Sequence, residues 1–248
     1  AFASIDAPAG PGIYISRNGG STWAPASSQP DNRLIWQLAV SPNYASDQTV
    51  YAGGGSPAIA SLFGLRAGIA STVWSQGVLP GGVFKSTNGG ESWVRVGDPG
   101  GSGVSALITV GGDVYAGTPD HGVFRSTDGG TTWSPANVGL GSSGVHALAA
   151  SPQYGEDSVV YAGTWESGVY RTGNRGASWA AVVSGFRIDS GGYAAVQAIC
   201  VAVTPDRVYA ATGGRTLTDG QGVWKITLSA RSYLTYIPIV FKNYAGGW

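Results

Sequence analysis

Eight residues recur four times along this chain at fixed internal offsets. The copies are Ser16-Arg17-Asn18-Gly19-Gly20-Ser21-Thr22-Trp23, Ser86-Thr87-Asn88-Gly89-Gly90-Glu91-Ser92-Trp93, Ser126-Thr127-Asp128-Gly129-Gly130-Thr131-Thr132-Trp133 and Thr172-Gly173-Asn174-Arg175-Gly176-Ala177-Ser178-Trp179. Each follows a short apolar run opened by glycine, such as Gly122-Val123-Phe124-Arg125. Asp or Asn at the third position can accept hydrogen bonds from the turn's own amides. Glycine at the fifth supplies a positive φ that other residues resist. The closing tryptophan offers a large apolar face for packing between sheets. The pattern therefore predicts a hairpin turn between two strands, made four times.

The box starts at Ser16, Ser86, Ser126 and Thr172 are 70, 40 and 46 residues apart. Setting aside residues 55–80, which interrupt the pattern, brings the first interval close to the others. Between boxes stand two further apolar runs, for example Val104 to Ile108 and Val114 to Gly117, then Val145 to Ala149 and Val159 to Gly163. A repeat of this length carrying four short strands is the signature of a propeller blade. The expectation is an all-β chain, a β-propeller of about five four-stranded blades, with residues 1–232 as the propeller and 233–248 as an apolar C-terminal tail. The 41 glycines, 9 tryptophans and 12 tyrosines suit many tight turns and aromatic packing between sheets.

The structural box residues are Ser16, Asn18, Gly20, Trp23, Ser86, Asn88, Gly90, Trp93, Ser126, Asp128, Gly130, Trp133, Thr172, Asn174, Gly176 and Trp179. On these residues the chain resembles the sialidase-type Asp-box β-propeller proteins. The resemblance implies that the boxes are structural and lie away from any catalytic centre. Sialidases of this fold also carry an arginine cluster, a Tyr/Glu pair and a Phe/Tyr-Arg-Ile-Pro motif before the first box. Here Phe186-Arg187-Ile188-Asp189 follows the last box and lacks the proline, so no competent sialidase is expected.

The two ends do not match the middle. Residues 1–11 read as an arm or irregular edge strand, too short to supply the first two strands of a blade. The fifth unit keeps three strands (Val196 to Val203, Val208 to Ala211, Gly222 to Ile226) but no box. It is followed by the tail, in which Tyr233, Tyr236, Ile237, Ile239, Val240 and Phe241 are candidate assembly residues. The tail is apolar on both faces. Two placements are open: it completes a blade of its own chain, or it adds to the deficient blade of a neighbouring copy and propagates a fibre. Pro238 lacks an N–H and so prefers an edge strand in either case.

Net charge is zero and 11% of residues are charged, which gives no electrostatic reason to expect nucleic acid. No run reaches the roughly 18 apolar residues that a membrane helix requires. The sequence begins Ala1-Phe2-Ala3-Ser4, without Met, and reads as the product side of a signal-peptidase cut, so a secreted or cell-surface protein is expected. Cys200, the sole cysteine, lies in an apolar strand and reads as a small buried hydrophobe.

No catalytic, metal or cofactor residues are expected. The carboxylates align internally as turn formers: Asp47 with Asp157, Asp120 with Glu166, Asp113 with Asp206, while Asp128 and Glu91 sit in boxes. No pair stands out as the two acids of a glycosidase. One internal comparison points to a surface. In the opening strand of each unit the second position varies, as Trp36, Ser105, His146 and Gln197, while its neighbours stay apolar. In propellers the first strand lines the central channel, so these four form a candidate binding rim. The partners expected are a second copy of the chain or a cell-surface glycan. Function is read as a non-catalytic surface, structural or binding subunit, with a carbohydrate-binding or glycoside-hydrolysing propeller as the alternative. An assembly factor of the photosystem-biogenesis type is a third reading.

Overall fold

The computed structural model describes residues 1–7, 10–30, 35–55, 81–165, 167–182, 197–204, 207–213, 222–227 and 235–239, with side chains described outside 4–11 and 197–239. Among the described residues the chain is all-β apart from two single-turn helices. Its strands form five antiparallel sheets, each built from consecutive segments of the sequence.

The first sheet contains β1 (Phe2–Ala7), β2 (Gly10–Ile15) and β3 (Ala24–Pro25). The second contains β4 (Ile35–Val40), β5 (Val50–Gly54), β6 (Gly82–Ser86) and β7 (Val94–Gly97). The third runs through β8 (Ala106–Val110), β9 (Asp113–Gly117), β10 (Val123–Ser126) and β11 (Ser134–Pro135). The fourth has β12 (Val145–Ala150), β13 (Val160–Thr164), β14 (Gly168–Thr172) and β15 (Ala180–Ala181). The fifth has β16 (Gln197–Thr204), β17 (Arg207–Gly213), β18 (Gly222–Thr227) and β19 (Thr235–Ile239).

Two of these assignments differ from the sequence expectation. Residues 2–7 are a regular strand, paired with β2 from Phe2↔Ile15 to Ala7↔Gly10, so the first sheet has three strands instead of two. The short β2 hairpin partner was enough to order an alanine-rich segment, because the ladder satisfies its backbone groups. The turns Ser41 to Asp47 and Ser151 to Asp157 each contain one turn of helix, α1 (Tyr44–Asp47) and α2 (Tyr154–Asp157). Ser41 Oγ donates to Asp47 Oδ2 at 2.6 Å, and Asp47 Oδ1 accepts from the amide of Thr49 at 2.8 Å. Ser151, Asp157 and Val159 repeat the arrangement at 2.6 and 2.9 Å.

The tail supplies β19, which pairs with β18 of its own chain from Val223↔Ile239 to Thr227↔Thr235. Pro238 lies opposite Trp224 on the outermost strand, the kind of position proline prefers in a sheet. Tyr236, Ile237 and Ile239 belong to this strand, while Tyr233, Val240 and Phe241 lie outside the described residues. The insertion from residue 56 to 80 also lies outside them.

Burial comes from stacking sheet on sheet. β1 packs against β4, β4 against β8, β8 against β12 and β12 against β16. One apolar cluster joins the first and second sheets through Ile13, Ile35, Val50, Phe84 and Trp93. Another joins the second and third through Tyr51, Val83, Val104 and Leu107. A third joins the third and fourth through Tyr115, Val123, Val145, Leu148, Val160 and Trp179. The stacking is close: a Cβ on Gly117 would meet Val145 Cγ1 of the next sheet at 2.7 Å. Among the described residues no comparable packing joins the first sheet to the fifth.

The four boxes share one hydrogen-bond pattern. In the third, Ser126 Oγ donates to Asp128 Oδ1 at 2.7 Å and accepts from the amide of Gly130 at 2.8 Å. Asp128 Oδ1 then accepts from the amide of Thr132 at 2.9 Å. The fourth box repeats this through Thr172, Asn174, Gly176 and Ser178. Glycine is required at the fifth position, with φ of 94, 86, 94 and 83° in the four boxes. The fourth position is also left-handed, filled by glycine in three boxes and by Arg175 in the last.

The tryptophans that close the boxes differ by what precedes their sheet. Trp93 and Trp179 are 8% and 5% exposed, each packed on the sheet before its own. Trp23, in the first sheet, is 43% exposed.

Candidate functional site

The two ends of each sheet carry different chemistry. In the fourth sheet Val145 pairs with Thr164 and Thr164 with Gly168 at one end. Ala150, Val160 and Thr172 are linked in the same way at the other, where the box begins. The second-position residues of the opening strands therefore lie at the end remote from the boxes.

At that remote end the register slips between Ile35 and Gln37 and again between Val145 and Ala147, which leaves Trp36 and His146 as bulge residues. A bulge bends the strand and re-aims its extra side chain. The Trp36 ring lies over Gly55, where a Cβ would stand 2.1 Å from it. Gly55 in turn bridges to Gly103 at the start of the third unit. His146 is half-buried with its ring centroid 4.6 Å from that of Trp165 and the planes tilted by 42°. Burial pulls its pKa down to about 4, so the ring is neutral at physiological pH.

Ser105 behaves differently. It is 7% exposed, and its hydroxyl faces the carbonyls of Gly117, at 3.1 Å, and of Val145 in the next sheet. It ties two sheets together instead of facing a ligand. Gln197 opens β16, and its side chain lies outside the described residues. At the end remote from the boxes His146 thus has a second aromatic beside it, Trp165, which the sequence reading missed, while Trp36, in the second sheet, lies on Gly55. The signal was present: aligned on Thr118 and Thr164, the third unit has Pro119 where the fourth has Trp165.

Ser102, in the connection from β7 to β8, meets Asp120 and His121 of the exposed β9–β10 loop. His121 Nδ1 is 2.7 Å from Asp120 Oδ1 and 3.3 Å from Ser102 Oγ, and Ser102 also donates to Asp120. A serine nucleophile needs the imidazole interposed, one nitrogen to the acid and the other to the hydroxyl. Here acid and hydroxyl both address Nδ1, so the relay is not assembled.

The carboxylates with described side-chain contacts are engaged locally. Glu91 accepts from Arg17 and from Ser27 Oγ at 2.5 Å, which holds its pKa down at about 2. Asp98 pairs with Arg95 at 2.9 Å, and burial raises its pKa. Asp128 is held at about 2 by the Thr132 hydroxyl and amide and by Ser126. Asp113 is buried and pairs with Arg125 at 2.9 Å. Among the described residues no group of three or more His, Cys, Asp or Glu could hold a metal ion. Among them too, no helix is long and apolar enough to cross a membrane.

A family model described as BNR/Asp-box repeat matches residues 124–135, the third box with its flanking strand residues. A search of curated protein sequences finds no match. Among solved structures, the GH74 xyloglucanase from Xanthomonas campestris superposes with a TM-score of 0.67 at 19% identity, over 99% of this chain and 36% of that one. The GH74 enzyme of Niastella koreensis gives 0.62 at 18%, over 92% and 34%. YCF48 bound to a D1 peptide gives 0.54 at 13%, over 91% and 60%. The chain thus spans about a third of the length of the two GH74 enzymes. Identities this low speak for the fold alone. The chain carries a BNR/Asp-box repeat and has the fold of the β-propeller proteins that contain it.

Proposed function

We propose that this protein is an extracellular, non-catalytic five-bladed propeller that binds a glycan at the mouth lined by Trp36, His146 and Trp165. The observation that carries this reading is the pair of bulges that turn Trp36 and His146 out of register at the same end of their sheets. Aromatic faces suit the apolar faces of sugar rings, as they suit apolar side chains. The neutral His146 ring adds a hydrogen-bonding nitrogen without charge. Among the described residues, Glu91, Asp113 and Asp128 are engaged by neighbouring donors, which speaks against these three as the acid pair that glycoside hydrolysis needs.

Self-assembly through the tail draws no support from β19, whose ladder is made with β18 of the same chain. Glycoside hydrolysis remains the alternative, on the strength of the GH74 xyloglucanase likeness. A panel of aryl glycosides tests it: turnover of any of them would displace the non-catalytic reading. Binding is tested by substituting Trp36 and His146 together, which should abolish retardation of the protein in gels containing neutral soluble polysaccharides.

A further inference from the structure

We propose a second ligand site, at the box end of the sheets: the cleft between the third and fourth boxes binds the carboxylated sugar residues of an acidic polysaccharide. The starting point is Arg175. It stands at φ 57°, where the other three boxes place Gly19, Gly89 and Gly129 at 70, 69 and 71°. L side chains resist this region, and a residue held there points to what its side chain does.

What Arg175 does is form one wall of a cleft of about 200 Å³, with Arg125, Thr132, Ser134, Pro135 and Ala177 among the others. Its guanidinium carbon lies 5.9 Å from the centre of the Tyr154 ring, and its Nε reaches Ser158 Oγ at 3.4 Å. The residue is exposed, and among the described residues it makes no ion pair. The Tyr154 ring and the Ser158 hydroxyl hold one side of the guanidinium, and its planar fork suits a planar anion.

One sheet earlier the same place is built differently. There Lys85 Nζ stands 5.5 Å from the centre of the Tyr51 ring, as Arg125 stands 6.0 Å from that of Tyr115. The box residue is Gly129, and a Cβ on it would meet Lys85 Nζ at 2.8 Å. So one cation occupies that boundary, and two arginines occupy the next. The carboxylates near the pair are already engaged. Asp113 is 5% exposed and takes Arg125 and the Tyr154 hydroxyl, and Asp128 takes the Thr132 hydroxyl and amide. Asp113 is neutralised by Arg125, and Arg175 has no carboxylate within ion-pair distance among the described residues.

An arginine fork recognises a carboxylate through two parallel hydrogen bonds. The remaining lining, Thr127 and Ser134 over Pro135 and Ala177, suits one hydroxylated ring. An acidic peptide is disfavoured, because the neighbouring edge strand β11 is two residues long and includes Pro135, a poor template for strand addition.

The test uses affinity electrophoresis in gels containing polygalacturonate, its fully methyl-esterified form, or poly-L-glutamate. Wild-type protein should be retarded by polygalacturonate, at least tenfold more weakly by the ester and by poly-L-glutamate, and less as NaCl is raised. Arg175→Gly restores the glycine of the other boxes, so it should melt no lower than wild type while losing at least tenfold in affinity for polygalacturonate. The W36A/H146A variant should keep that affinity, which separates this site from the aromatic mouth. Equal binding by Arg175→Gly, equal binding of the ester or of poly-L-glutamate, or no retardation of wild type would each overturn the proposal.

Discussion

The hydroxyl of Tyr154 donates to Oδ2 of Asp113 at 2.5 Å, from the fourth unit back into the third sheet. The Tyr115 hydroxyl lies 2.6 Å from the same oxygen of Tyr154, and Arg125 closes the chain on Oδ1 of Asp113. All of this sits at the sheet boundary, with Tyr115 fully buried and Tyr154 2% exposed. Desolvation raises the pKa of both phenols, so they remain neutral donors. Tyr154→Phe keeps the ring and removes the bond, leaving a buried carboxylate one partner short. The expected cost is about 1–3 kcal/mol in chemical denaturation. Tyr115→Phe, which removes no direct bond to Asp113, should cost less.

The box tryptophans give an internally controlled comparison. Trp179→Ala removes a side chain 5% exposed that packs between two sheets and donates to the carbonyl of Ala136 at 2.7 Å. Its loss should cost about 3–5 kcal/mol. Trp23→Ala removes a ring that is 43% exposed in the sheet with no predecessor packed on it. About 1 kcal/mol or less is expected there, chiefly from the bond to the carbonyl of Gly20. Equal losses at the two positions would mean that Trp23 is covered in solution.

His146 offers a pH signature. Burial lowers its pKa from 6.5 to about 4 in the folded protein. Between those values the unfolded chain takes up a proton that the folded chain refuses, so the residue's contribution to stability is complete above about 6.5 and declines as pH falls towards 4. An NMR titration of the His146 ring should give a midpoint near 4. A midpoint near 6.5 would show that the ring is solvated, with the stack on Trp165 open.

Removing residues 233–248 deletes β19 and strips the outer edge of β18. The truncated chain should unfold at lower denaturant than the full one, and both should scatter light as monomers. If the full chain instead forms large particles that truncation disperses, the tail acts between copies.

The repeat made much of this fold readable, because each box states its own turn: Ser126, Asp128 and Gly130 bond to one another whatever surrounds them. What escaped were features decided by neighbours. Residues 1–11 were read as an arm or irregular edge strand, and the ladder with β2 makes Phe2–Ala7 a regular one. Ser105 was read as a rim residue, but the carbonyl of Val145 in the next sheet captures its hydroxyl. Trp165 showed only as a departure from Pro119 in an aligned turn, and Arg175 as the one box residue without a glycine's freedom.

The aromatic mouth is the core of the functional account, and one experiment addresses it directly. Wild-type and W36A/H146A proteins are run in native gels containing soluble polysaccharides, xyloglucan among them, while reducing ends are assayed in parallel. Retardation of wild type by at least one neutral polysaccharide, lost in the double variant and with no release of reducing sugar, is the expected result. Unchanged retardation of the variant, no retardation of wild type, or steady release of sugar would contradict it.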